Sequence, residues 1–168
     1  IANSGAETPW NQNRLKWLNS SLAQQNDVIA PYTPLVVKGK EISLLGRKVI
    51  LNADGLPAQI QTFFSPEMTE YTSTPKNILT QPMQFMVNHA ALSTPTSTNH
   101  FAFTQQDKGT VQWTATTSSK QLEMQVNGSI EFDGFMVYTV KMTALDDIDL
   151  SDIQLNMPLS KLAAKYMM

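Results

Sequence analysis

The sequence predicts an all-β domain, an antiparallel β-sandwich with one short N-terminal helix. Three observations carry that expectation. From Leu122 to Leu159, apolar residues fall at every second position: Leu122, Met124 and Val126, then Ile130 and Phe132, and later Ile153, Leu155, Met157 and Leu159. That period places one set of side chains on a buried sheet face and the other in water. Similar runs recur along the chain between turn signals, about nine to eleven in all, which is the pattern of a sandwich. Helical spacing is confined to one stretch near the start. No internal repeat, heptad or linker divides the chain, so residues 1–168 read as one domain, with a helix over 9–23 and sandwich strands over 34–159.

Taken in order, Thr8-Pro9 is a helix start, with Thr as N-cap and Pro at the first helical position. Leu15, Leu18 and Leu22 follow at helical spacing, flanked by Trp10 and Trp17. Pro31 and Pro34 then enforce an extended segment. Leu35–Val37 and Glu41–Leu45 read as strands, separated by a turn at Gly39. Ala53-Asp54-Gly55 supplies the turn of a hairpin over 47–63. Residues 65–82 hold three prolines and many Thr and Ser, and read as a long surface loop. Gln84–Val87 is a strand, and Ser93 to Asn99 a loop. Phe101 to Trp113 is a hairpin turning at Asp107-Lys108-Gly109. Leu122–Val126, Ile130–Phe132, Phe135–Met142 and Ile153–Leu159 complete the set. Phe135 to Tyr138 are apolar at consecutive positions, so that strand is expected to be buried on both faces.

Composition excludes several functions. Charged residues make up only 15% of the 168 residues and the net charge is −2, so no field draws in nucleic acid or anionic lipid. No apolar run approaches the ~20 residues needed to span a bilayer. Cysteine is absent, which removes disulfides, thiolate zinc sites and cysteine nucleophiles. The surface relies on Thr, Ser, Asn and Gln, as in many extracellular β-proteins. The chain begins with Ile1 and stops on Lys165-Tyr166-Met167-Met168. A fragment of a larger secreted, periplasmic or cell-surface protein, with its signal peptide removed, is therefore expected.

No constellation announces catalysis, a cofactor or a metal. Asp146, Asp147, Asp149 and Asp152 form the densest acidic cluster, but an EF-hand register from Asp147 puts Asp152 where Gly is needed and Pro158 where Glu is needed. A solvated loop is the preferred reading, with an irregular calcium site as its alternative. Glu131 and Asp133 lie two apart, a spacing that puts two carboxylates on one strand face and suits glycoside hydrolysis. Gly134 argues instead for a turn that reorients Asp133. His89 and His100 have no ligand partner at a metal spacing, and neither a Gly-x-Ser-x-Gly elbow nor a Gly-rich phosphate loop is present. Among the aromatics, Tyr71 is the best sugar-contact candidate and Trp113 the second, although Trp113 sits in an alternating strand and also reads as core. Trp10, Trp17 and Tyr166 are candidates for a domain interface.

Several segments together resemble a known family: Leu15-Lys16-Trp17-Leu18-Asn19-Ser20, Pro31-Tyr32-Thr33-Pro34-Leu35, Leu45-Gly46-Arg47-Lys48-Val49, Asp54-Gly55-Leu56-Pro57, Ile130 to Phe135, Met157-Pro158-Leu159 and Lys165 to Met168. In this order they resemble the N-terminal β-sandwich domain of secreted glycoside hydrolase family 123-like proteins of Bacteroides-type bacteria. The resemblance covers nearly the whole chain. It implies a galactose-mutarotase-like supersandwich and a parent in which a (β/α)-barrel follows. In family 123 that barrel cleaves β-linked N-acetylgalactosamine with an Asp-Glu pair and the substrate's own acetamido group. None of the barrel is in this sequence, so no catalytic residue carries over. The expected role is a non-catalytic accessory domain whose partner is the catalytic barrel of the same chain, with a glycan as candidate second ligand. The alternatives are an independent carbohydrate-binding module and a structural or interaction sandwich of a surface assembly.

Overall fold

The computed structural model describes residues 26–92 and 97–164. The helix expected over 9–23, with Trp10 and Trp17, lies outside the described residues, as does Tyr166. The described residues form twelve strands and no helix. Five make one sheet in chain order: β1 (Val36–Lys38), β2 (Glu41–Leu44), β3 (Arg47–Leu51), β4 (Pro57–Phe64) and β5 (Tyr71–Asn77). Next come β6 (Gln84–Val87) and β7 (Ala90–Ala91). A four-stranded sheet follows, made of β8 (Thr98–Gln106), β9 (Thr110–Ser118), β10 (Leu122–Glu131) and β11 (Met136–Ala144). The last strand, β12 (Ile153–Asn156), returns to pair with β6, giving a three-stranded sheet in the order β12-β6-β7. Every strand pairing is antiparallel.

The four-stranded sheet is the shared layer. Alternation in β9 and β10 sends Val111, Trp113, Ala115, Leu122, Met124, Val126 and Ile130 to one face. At one end this face packs on Ile42, Leu44, Val49 and Leu51 of the five-stranded sheet. At the other end it packs on Leu56, Leu79, Met83, Val87 and Leu92, part of which belongs to the three-stranded sheet. Two sheets thus lie side by side across one face of a third.

The centre of the core is built around a turn. Asn52 accepts hydrogen bonds from the backbone N–H groups of Asp54 (2.9 Å) and Leu56 (3.0 Å) and donates to the Met83 carbonyl (3.0 Å). Its backbone needs met internally, the β3–β4 turn is buried. Asp54 accepts from the Thr117 hydroxyl at 2.7 Å, and the Gly55 carbonyl accepts from the Trp113 indole at 2.8 Å. Gly128 lies opposite Trp113 in the ladder. A Cβ there would sit 2.2 Å from the indole ring, so only glycine lets the ring lie across β10.

Four expectations need correction. The stretch 65–82 is not all loop, because β5 runs through it. Its Pro75 is tolerated on an edge strand, where a missing N–H breaks no ladder. The two runs Leu122–Val126 and Ile130–Phe132 are one continuous β10, since Gly128 replaces an apolar residue without breaking the strand. Strand β11 is not buried on both faces: Val137 is exposed, as is Phe135 just before it, because β11 is an edge strand whose outer face is covered by no second layer among the described residues. Finally, Ile153, Leu155, Met157 and Leu159 are not buried.

Candidate functional site

The first candidate surface is aromatic. Gly46 turns β2 into β3 with φ +61°, and a Cβ there would lie 2.5 Å from the Phe64 ring and 2.7 Å from the Tyr71 ring. Both rings therefore rest on a turn that requires glycine. Phe64 ends β4 and pairs directly with Tyr71 at the start of β5, with ring centroids 5.2 Å apart and tilted 36°. Tyr71 is 60% exposed. Beside it lies a shallow hollow of about 320 Å³ whose lining includes Ser43, Lys48 and Thr72. Lys48 is paired with Glu41 at 2.9 Å. The Thr72 hydroxyl shares its one proton between the Thr74 (2.9 Å) and Phe63 (3.1 Å) carbonyls, which fixes it in place. An exposed ring next to hydroxyl and ammonium groups offers an apolar face and a polar rim, the chemistry that small polar-rimmed ligands need.

Trp113 has a different environment. It is 1% exposed, its N–H is spent on Gly55, and its ring meets Tyr138 edge-on at 5.8 Å. It has no surface to give a sugar. Burial among these groups also pushes the Tyr138 phenol far above its ordinary pKa.

The charged candidates serve turns. Strand β10 ends at Glu131, and Asp133 lies in the following turn, where its carboxylate accepts from the Phe135 N–H at 2.8 Å and its carbonyl accepts from Arg47 at 2.7 Å. Asp133 and Glu131 therefore do not share a strand face. Asn88 holds the 146–152 loop, accepting from the Ser151 N–H and hydroxyl and donating to the Asp149 carbonyl. Among the described residues no three His, Asp or Glu side chains group as a metal site. Nor is any helix among them long and apolar enough to cross a membrane.

The second candidate surface is apolar. Register places Ile153 opposite Val87 and Leu155 opposite Phe85, and a bridge sets Leu159 opposite Leu79. Directly paired residues share a face. Val87 and Leu79 are buried in the core and Phe85 packs against it. Yet Ile153, Leu155, Met157 and Leu159 are 43%, 48%, 49% and 43% exposed. Among the described residues, nothing seals the core-facing side of β12 or of the segment that follows it. Just beyond, Ser160, Leu162 and Ala163 line a groove of about 830 Å³ with Phe64, Pro66 and Met68. Alternation gave no signal for this, because it marks a face and not what lies on it.

The antiparallel sheets, the Tyr-Phe platform and the exposed apolar row define an all-β, sandwich-like domain. The sequence matches the family model described as glycoside hydrolase 123, third domain, over residues 35–168, which includes all twelve strands. The chain belongs to this family and is a glycoside hydrolase-related domain. No curated protein matches it. No solved structure matches it either.

Proposed function

We propose that this is a non-catalytic accessory domain of a secreted glycoside hydrolase that acts on complex glycans, and that it supports the catalytic barrel of the same polypeptide. One observation carries the reading. A row of four apolar side chains along β12 and the segment after it is 43–49% exposed, and contiguous apolar surface of that kind marks contact with another body. Family membership supports a polypeptide partner. The weakly charged surface, rich in Thr, Ser, Asn and Gln, fits a secreted protein.

A second reading rests on Tyr71. Its exposed ring, braced by Phe64 beside the Ser43–Lys48–Thr72 rim, favours contact with a glycan and hence a carbohydrate-binding module. One paired experiment separates the two. The 168-residue chain and a longer polypeptide that includes the catalytic domain are assayed against the same glycans and aryl N-acetylhexosaminides. Hydrolysis by the longer polypeptide alone, with no binding by the 168-residue chain, is expected. Glycan binding by the 168-residue chain that is lost in Tyr71→Ala establishes the binding module instead. Silence from both chains leaves the accessory reading without support and favours a structural sandwich.

A further inference from the structure

We infer that β12 receives an added β-strand from the adjoining domain of the same polypeptide, apolar at every second residue. This rests on the accessory-domain reading and specifies how the contact is made. The Asn88 N–H donates to the Asp152 carbonyl at 3.0 Å, the Thr80 N–H to the Pro158 carbonyl at 2.8 Å, and the Ser160 N–H to the Ile78 carbonyl at 2.8 Å. In an antiparallel ladder the bonded direction alternates. The even residues of 152–160 therefore turn their backbone groups inward, toward β6 and the 78–80 segment. The odd residues, Ile153, Leu155, Met157 and Leu159, turn theirs to the open edge, for β12 ends its sheet. These same four residues carry the uncovered apolar side chains. Open backbone donors and acceptors thus coincide, residue by residue, with an apolar row.

That coincidence selects the occupant. A strand satisfies both at once, its backbone pairing with the odd residues and its alternate side chains covering the row. A glycan or a charged peptide would meet the apolar row with polar groups, and the row itself holds no charge. The family places this domain among others in a longer chain, and a tethered strand is present at high effective concentration.

The test uses two readouts on the 168-residue chain and on the longer polypeptide. Amide hydrogen exchange at 153, 155, 157 and 159 reads backbone pairing, and peroxide oxidation of Met157 reads side-chain cover. In the longer polypeptide we expect the odd amides to slow by about 100-fold or more and Met157 to resist oxidation. Met157 protected while the odd amides stay fast overturns strand addition but leaves the accessory role standing. Neither protected in the longer polypeptide overturns both. Odd amides that slow with concentration in the 168-residue chain, together with a dimeric elution volume, overturn the inference in favour of a second copy as occupant.

Discussion

Strands β9 and β10, at the middle of the four-stranded sheet, and strand β12 are written with the same period-2 pattern and meet opposite fates. Val111, Trp113 and Ala115 in β9, and Met124, Val126 and Ile130 in β10, are sealed between sheets. Ile153, Leu155, Met157 and Leu159 show the same alternation and remain about half in water. The difference is one of cover and not of propensity. β9 is central, with strands on both sides and two sheets across its face. Among the described residues β12 has a strand on one side only, and its row stays exposed. Alternation states that a strand has an apolar face. Whether that face is core or contact surface is decided by what the topology lays over it.

The largest effect tests the sealed region. Trp113→Ala removes the largest fully buried side chain and strips the Gly55 carbonyl of its donor. We expect a loss of about 3–5 kcal/mol, read as a lower denaturant midpoint at unchanged slope. A loss under about 1 kcal/mol would mean that the core repacks around the gap, and the contrast with β12 would weaken. The buried turn would suffer with it, since Asp54 and Gly55 hold β9 through Thr117 and Trp113.

A smaller effect, confined to alkali, sharpens the same contrast. Tyr138 is half-buried beside Trp113, and desolvation raises its folded-state pKa above the ordinary value of 10. Below about pH 10 the phenol is protonated in both folded and unfolded chains, and its contribution is constant. Above that pH the unfolded chain releases its proton first, so the unfolded state binds fewer protons and stability falls as pH rises. Tyr138→Phe should therefore lose less stability between neutral pH and pH 11 than the parent does. Parallel curves for the two proteins would show that the ring is wetter than its position implies.

These regions also show how far the sequence could be read. The hairpins β3–β4 and β8–β9 were legible because Asp-Gly and Asp-Lys-Gly sit between alternating runs. Tyr71 was legible as exposed because it stands among Thr, Ser and Pro, and the core reading of Trp113 followed from its place in an alternating strand. Strand β5 was hidden by Pro75, which the sequence presents as a breaker and the edge position tolerates. The burial of the Asn52–Leu56 turn was hidden because it depends on one side chain satisfying backbone groups at three positions. The open flank was hidden more deeply still. Its residues obey the sandwich pattern, and only the sheet order and the exposures show that no other described residue seals them.

The smallest expected effect is therefore the most diagnostic. Full burial of a leucine side chain is worth about 1.5–3 kcal/mol, and Leu155 keeps 48% of its surface in water. Leu155→Ser in the 168-residue chain should cost no more than about 1 kcal/mol, several times less than Trp113→Ala, although both change an apolar residue on a core-facing strand position. The same substitution in the longer polypeptide should cost about 2 kcal/mol or more, because there the residue is covered and the serine hydroxyl loses water. Thermal or denaturant unfolding of the four proteins gives both differences. If the serine costs equally little in both chains, the row is never covered and is ordinary exposed surface. A cost as large in the 168-residue chain as in the longer one would show that the row is already sealed without a neighbouring domain, and the comparison between β9 and β12 would collapse.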